Sequence, residues 1–356
     1  FFFQADAGIR DCLLSRGLGD VYKRQRDHFF CSAKSMRKIA VLTSGGDAPG
    51  MNAAIRAIVR TSLNKNMSII GFKNGYEGII DNDYIAFDKR LVGNIIQKGG
   101  SILHTSRSLR FLKKKYRQVA EDNLRVLGID GLIVIGGEGS TKGAIELSKI
   151  SKTRCIVVPA TIDKDMPLVG PTIGFDTAIN TALSAIDKIR DTATTANVTH
   201  IVEVMGRNCG WLGIHAGIGA GAETTIIPEV KINISKLSQK IKHQLSKGKK
   251  GCIIILAEGG FSKGGASLAS ALKEKGSLDL RITTLGHMQR GGNPSAVDRV
   301  LATELGVRAV LSLKDGFSNI IIAKPLNSLE KIEFDQFLNS EVKVDMYLHD
   351  LIENTA

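Results

Sequence analysis

The chain runs to 356 residues, 43% hydrophobic and 23% charged, a globular composition that excludes a disordered or fibrous protein. Its longest solid apolar runs, such as Cys252–Ala257, fall far short of the ~20 residues a membrane helix needs, which excludes an integral helical membrane protein. Lys and Arg total 48 against 35 Asp and Glu, a net +13 that favours acidic partners. The basic residues are dispersed apart from Lys113-Lys114-Lys115, and aromatics are only 5%, so small anionic ligands fit better than a nucleic-acid stacking platform. Five cysteines at 12, 31, 155, 209 and 252 form no CxxC pair, which suits a reducing compartment and no structural zinc site.

At about 150 residues per domain, the length suggests two domains. Residues 1–36 differ from the rest: they hold five of the 13 phenylalanines and show no useful periodicity. A secretory signal needs a basic start followed by an apolar core, and here the order is wrong. Phe1–Gln25 resembles a translated sequencing-adapter fragment, and on that reading Met36 is the natural start; a genuine disordered tail is the plainer alternative. From Arg37 onward strands and helices alternate. Lys38–Leu42 reads as a buried strand running into Thr43-Ser44-Gly45-Gly46-Asp47-Ala48-Pro49-Gly50, followed by a helix with Ala54, Ile55, Ile58, Val59 and Leu63 on one face. Gly131–Ile135 leads to Gly136-Gly137-Glu138-Gly139-Ser140 and a helix from about Thr141 to Lys149. Cys155–Val158 leads to Thr161-Ile162-Asp163-Lys164-Asp165, His200–Val204 to Met205-Gly206-Arg207, and Cys252–Ala257 to Glu258-Gly259-Gly260. Apolar strands alternating with helices predict an α/β fold with a mainly parallel sheet covered on both faces. Ligands of such sheets lie beyond the carboxyl ends of the strands, where each of these polar motifs falls.

The glycine turns at 45–46 and 136–140 let backbone approach a phosphate, with a helix N-terminus behind each. Neither matches the GxGxxG or GxxxxGK[ST] nucleotide patterns. Asp163 and Asp165, two carboxylates at i and i+2, suit a base and a ligand for a hard cation; a solvated acidic turn or a helix cap is the plainer reading. Gly286-His287-Met288-Gln289-Arg290-Gly291-Gly292 suits a sugar phosphate held by Arg, although an isolated His is more often structural. Arg207 is placed to neutralise a transferring phosphoryl group or to serve as an ordinary surface arginine.

In this order, Leu42–Arg56, the glycine–acid–glycine–serine turn, Thr161–Asp165, Val202–Arg207 and Gly286–Gly292 resemble the bacterial 6-phosphofructokinases across essentially all of Arg37–Ala356. The resemblance implies two Rossmann-like three-layer domains, 37–173 plus 287–336 for the nucleotide and 174–286 plus 337–356 for the sugar phosphate, with the active site between them. It also implies a cytoplasmic homotetramer that transfers the γ-phosphoryl group of ATP, with Mg²⁺, to the 1-hydroxyl of fructose 6-phosphate. Matching position by position, Asp163 takes the hydroxyl proton, Thr161 and Asp165 sit beside the transferring group, and Arg207 stabilises its charge. Gly46, Arg107, Gly137, Glu138, Gly139 and Ser140 hold the nucleotide phosphates, and Tyr76 lies near the adenosine. Glu138 and Asp165 face the metal. Met205, Gly206, Glu258, His287 and Arg290 bind the sugar phosphate, and Arg281 reaches in from a neighbouring subunit. An effector site is partly retained in Arg56, Arg60, Arg190 and Lys247–Lys250.

Three positions depart from the family. Glu138 replaces an Asp, Lys164 replaces an Asn and brings a cation toward the base, and Val198 stands where a second intersubunit arginine is expected, vacating a phosphate ligand. Pyrophosphate-using relatives carry Asp at the position of Gly139 and Lys at that of Ala160, so the small residues here favour ATP. The alternatives are a pyrophosphate-dependent enzyme and a catalytically weakened regulatory paralogue.

Overall fold

Runs such as Gly131–Ile135 and Cys252–Ala257, apolar at every position and rich in β-branched side chains, are suited to strands buried on both faces, and they become central strands here. The computed structural model describes residues 36–276, 278–326 and 328–356. The leader reading therefore lies, Met36 apart, outside the described residues. The strands are β1 (Lys38–Ser44), β2 (Ser68–Phe72), β3 (Tyr84–Ala86), β4 (Gly131–Gly136), β5 (Arg154–Pro159), β6 (Thr199–Val204), β7 (Thr224–Ile226), β8 (Cys252–Ala257), β9 (Leu280–Thr284), β10 (Ile320–Leu326) and β11 (Ser328–Glu333).

They form two sheets. One has seven strands in the order β11-β10-β5-β4-β1-β2-β3, parallel through its middle and closed at each edge by an antiparallel strand. The other, in the order β7-β8-β6-β9, is parallel throughout. Strand alternation decides which helices cover which face of the larger sheet. Ile39 and Val41 of β1 pack with Ile55 and Ile58 of the helix Met51–Asn64 and with Leu301 and Leu305 of the helix Ala296–Lys314. Ala40 and Leu42, one residue out of phase, pack with Leu124 of the helix Lys114–Val126 and Ile145 of the helix Glu138–Ser148. Burying each such Leu or Ile contributes roughly 1.5–3 kcal/mol, so a slip of one residue in register would forfeit both faces together.

The strands predicted from the sequence appear with at most two residues added at an end. The helix after β4 begins at Glu138 rather than near Thr141, because Gly137 is extended at its N-cap and the Glu138 carboxylate suits the positive first turn. Val198 is corrected more substantially. It enters β6 only 4% exposed, inside the main apolar cluster, with its N–H donating to the Ala193 carbonyl at 3.1 Å. The position is occupied by core packing and is not a vacated anion ligand.

Candidate active site

The two glycine turns and the acidic turn follow β1, β4 and β5, which are neighbours in the larger sheet, so their carboxyl ends open onto one space. That space is a cavity of about 360 Å³. Of the residues singled out in the sequence, Gly46, Tyr76, Arg107, Gly137, Glu138, Gly139, Ser140, Thr161, Asp163, Asp165, Arg207 and Arg290 all line it.

Asp163 lies at its floor, only 3% exposed. One carboxylate oxygen, Oδ2, is 3.5 Å from Nη2 of Arg290, while Oδ1 has no hydrogen-bond partner among the described residues. Burial pushes the Asp163 carboxyl up to about 6; the Arg290 guanidinium opposes the rise and Asp165 adds to it. A carboxyl poised there with an unsatisfied oxygen is suited to accept a proton near neutral pH. Thr161 caps the turn locally, its Oγ1 accepting from the Asp163 N–H at 3.2 Å, and its carbonyl accepts from the Thr172 hydroxyl at 2.7 Å. Arg207 donates to Asp165 Oδ2 at 3.4 Å. Asp165 is itself held above the ordinary carboxylate range, first by burial and then by the nearby charge of Glu138.

Lys164 corrects the expectation of a cation beside the base. Its backbone is left-handed (φ 52°), and its ammonium sits 4.1 Å from the Trp211 ring centre and 5.0 Å from that of Phe175. The groups that shift Asp163 do not include it, and Asp163 rises instead of falling.

Gly46 cannot carry a side chain without disturbing this arrangement: a Cβ there would lie 2.7 Å from Nη1 of Arg290, which also donates to the Asp47 carbonyl at 3.1 Å. Tyr76, 4% exposed, stacks on Phe111 at 4.1 Å and donates its hydroxyl to the Ser140 carbonyl at 2.6 Å. It lies so close to Gly143 that a Cβ there would meet the ring at 2.8 Å. Ser140 Oγ, buried and without a partner among the described residues, is the second orphan polar atom of the cavity. Lys142 pairs with Glu138 at 2.5 Å, one helical turn on.

Among the described residues no group of three or more His, Cys, Asp or Glu side chains gathers to hold a metal. Glu138 and Asp165 nonetheless share the cavity, and the charge of Glu138 helps raise the Asp165 carboxyl, a disposition that suits a Mg²⁺ ion whose remaining ligands are phosphate oxygens and water.

Apart from Arg290, the sugar-side residues fall outside the cavity's lining. Glu258 accepts from the Arg207 backbone N–H at 3.1 Å, Met205 donates from its backbone to Gln289 Oε1 at 2.9 Å, and Gly206 (φ 137°) makes the bend between them. His287 shares the short 3₁₀ segment Gly286–Arg290 with Arg290. Arg281 lies on β9, pointing to solvent beside Asp279 at 4.0 Å. Arg190 and Lys249, from the suggested effector group, converge on the buried carboxylate of Glu223 at 3.8 and 2.7 Å.

Sequence reasoning missed Phe111, Lys142, Gly143 and the Arg117–Glu146 pair (3.2 Å), all lining the cavity. Only Lys142 carried a signal, its i+4 spacing from Glu138 on a helix. It missed Asp298 too, whose buried carboxylate accepts from the backbone N–H groups of Gly174 and Thr177, each at 2.8 Å, and so anchors the start of the helix Phe175–Ala196. Among the described residues no helix is long and apolar enough to cross a membrane.

The chain is 46% identical over 316 residues to the ATP-dependent 6-phosphofructokinase of Clostridium acetobutylicum, covering 89% of this chain and 98% of that one. It is also 46% identical to that of Natranaerobius thermophilus, across 90% of this chain and 100% of the other. Among solved structures it superposes on the phosphofructokinase of Saccharomyces cerevisiae with a TM-score of 0.78 and 32% identity. That match covers 90% of this chain and 47% of the yeast chain, so this chain spans about half the yeast length. The pattern that defines phosphofructokinases extends from residue 38 to residue 313, taking in β1, the acidic turn and the Arg290 segment alike, and the chain belongs to that family.

Proposed function

We infer that the chain is an ATP-dependent 6-phosphofructokinase, transferring the γ-phosphoryl group of ATP to the 1-hydroxyl of fructose 6-phosphate to give fructose 1,6-bisphosphate and ADP. The observation that carries this reading is Asp163: a buried carboxyl raised to about 6, with one free oxygen, on the floor of a cavity walled by glycine turns. Asp163 accepts the proton of the attacking hydroxyl. Arg207 offsets charge on the transferring group, and Thr161 holds the turn that aims the base. Gly46, Arg107 and Gly137–Ser140 cradle the nucleotide phosphates by close backbone approach, with Tyr76 toward the nucleoside. Glu138 and Asp165 would hold Mg²⁺, which when bound withdraws charge from the phosphoryl oxygens. The reaction needs positioning and charge neutralisation more than covalent work, which is what these residue types supply.

The same reading assigns the sugar phosphate to Met205, Gly206, Glu258, His287 and Arg290, with Arg281 supplied by a neighbouring subunit of a cytoplasmic homotetramer. It places the boundary between two domains near 173/174, and the smaller sheet, built entirely from residues 199–284, agrees with that division. Arg190 and Lys249 would offer an anionic effector its charge partners.

Two small residues support ATP over pyrophosphate. A Cβ on Gly139 would meet nothing within 4 Å, so the space that a charged side chain would fill stands open to a nucleotide, and Ala160 lines the same cavity. Steady-state assays of fructose 6-phosphate with Mg-ATP and with Mg-pyrophosphate test this. Turnover confined to Mg-ATP supports the reading. Turnover only with pyrophosphate, or with neither donor, overturns it.

A further inference from the structure

Lys164 lies between the two carboxylates of the acidic turn yet faces away from both. Its left-handed backbone sends Asp163 and Asp165 into the cavity and its own side chain to the opposite side, onto the rings of Trp211 and Phe175. A long side chain rarely holds that backbone conformation unless its surroundings over-determine it. Burial there lowers the ammonium's pKa from its ordinary value, and the faces of two aromatic rings compensate for part of the lost hydration.

The segment 207–211 touches the turn at three points. Arg207 reaches Asp165 on the cavity side at 3.4 Å, Cys209 Sγ lies 4.0 Å from the Lys164 carbonyl, and Trp211 receives the ammonium on the far side. Of these, the Arg207–Asp165 pair must loosen when Arg207 turns to a phosphoryl group. The sulfur contact is a weak hydrogen bond. The contact that persists through such a change is the ammonium on the indole.

We propose that Lys164 is a positioning residue, clipped to Trp211 so that Asp163 and Asp165 keep their aim while Arg207 exchanges partners. This deepens the proposed phosphoryl transfer and rests on that reading. The clip couples two segments through one cation and one ring, so its two halves act as a unit.

The test is a mutant cycle on the full chain. Lys164→Met keeps length and removes charge, Lys164→Arg keeps a cation that stacks on indole, and Trp211→Leu removes the ring. Trp211 is the only tryptophan of the chain, so its emission reads the contact directly, without substrate or metal. The expected result is a loss of kcat of about tenfold or more for Lys164→Met and for Trp211→Leu, with both KM values within about threefold. Lys164→Arg returns to within about threefold of the parent, the double variant is little worse than either single, and the metal-free emission spectrum shifts in Lys164→Met. A kcat within twofold of the parent in Lys164→Met, losses that multiply in the double variant, failure of Lys164→Arg to recover, or an unchanged spectrum would each overturn the clip. If Lys164→Met does not fold, Lys164→Arg and Trp211→Leu carry the same comparison. An inactive parent would overturn the proposed reaction instead, and the emission spectra would still read the contact.

Discussion

Replacing Asp163 with Asn should slow the enzyme and stabilise it at once. The amide keeps the shape of the carboxylate but accepts no proton, so kcat should fall by the ~10²–10⁴ typical of a lost general base, while both substrates still bind. The stabilisation follows from the folded-state pKa of about 6 against the ordinary 3.8. Because the folded pKa is the higher one, the folded chain holds the proton more tightly than the unfolded chain does, and stability falls as pH rises from about 4 through about 6. Above that window the ionised carboxylate costs the fold about 3 kcal/mol, at 1.36 kcal/mol per pH unit of difference. Asp163→Asn removes the cost, so at pH 8 its Tm should exceed the parent's by about 4 °C for a protein of this size. The advantage should shrink to roughly half by pH 5, where the parent's carboxyl is mostly protonated in the fold. Thermal unfolding of both proteins at pH 5 and pH 8, with kcat measured alongside, checks the argument. A Tm advantage over the parent no larger at pH 8 than at pH 5, or a variant that retains near-parent turnover, would refute it.

The same carboxyl predicts that kcat/KM for fructose 6-phosphate rises with pH through about 6 and that the limb vanishes in Asp163→Asn; a pH–rate profile reads both. Gly46→Ala should lower kcat by roughly 10–100-fold, since its methyl would fall 2.7 Å from Arg290 Nη1 and push the guanidinium off Asp163. Gly139→Asp should leave Tm nearly unchanged, because the added side chain enters open space, and should raise the KM for ATP by roughly tenfold or more through repulsion of the phosphates. Val198→Arg should cost about 3–5 kcal/mol of stability, read as a lower Tm, because it buries an uncompensated charge in the main core and adds no ligand for the sugar.

The central strands were legible because they are apolar on both faces, and the motifs were legible as ligand-facing because each follows such a strand. The edge and peripheral strands were not. β3 is three residues long, β9 is half exposed, and β11, Ser-Leu-Glu-Lys-Ile-Glu, spaces its two apolar residues three apart instead of alternating them. Local pattern likewise carries no information on what crosses between distant segments. Asp298 meets Gly174 more than a hundred residues away, and Phe111 stacks on Tyr76 across a stretch of chain that carries no pattern linking them. Val198 and Lys164 were misjudged for a related reason. Position in a motif says which residue stands there, whereas backbone conformation and burial decide where its side chain goes.

Burial also separates the roles of the three acids in the cavity. Asp163 is nearly sealed, with one guanidinium at 3.5 Å and no other side-chain partner among the described residues, and burial makes its charge costly to form. Asp165 is raised as well, but it accepts from Arg207 and lies within the field of Glu138. Glu138 opens toward solvent on the first turn of its helix and is paired with Lys142 at 2.5 Å. A proton is best received by the acid whose ionised form is least supported, and a cation is best held by two acids whose mutual repulsion it relieves. On that argument Asp163 is the acid best suited to serve as the proposed base, and Asp165 and Glu138 would hold the proposed Mg²⁺. Glu138, the longest of the three, is also the most open to solvent, its side chain 36% exposed against 15% for Asp165 and 4% for Asp163.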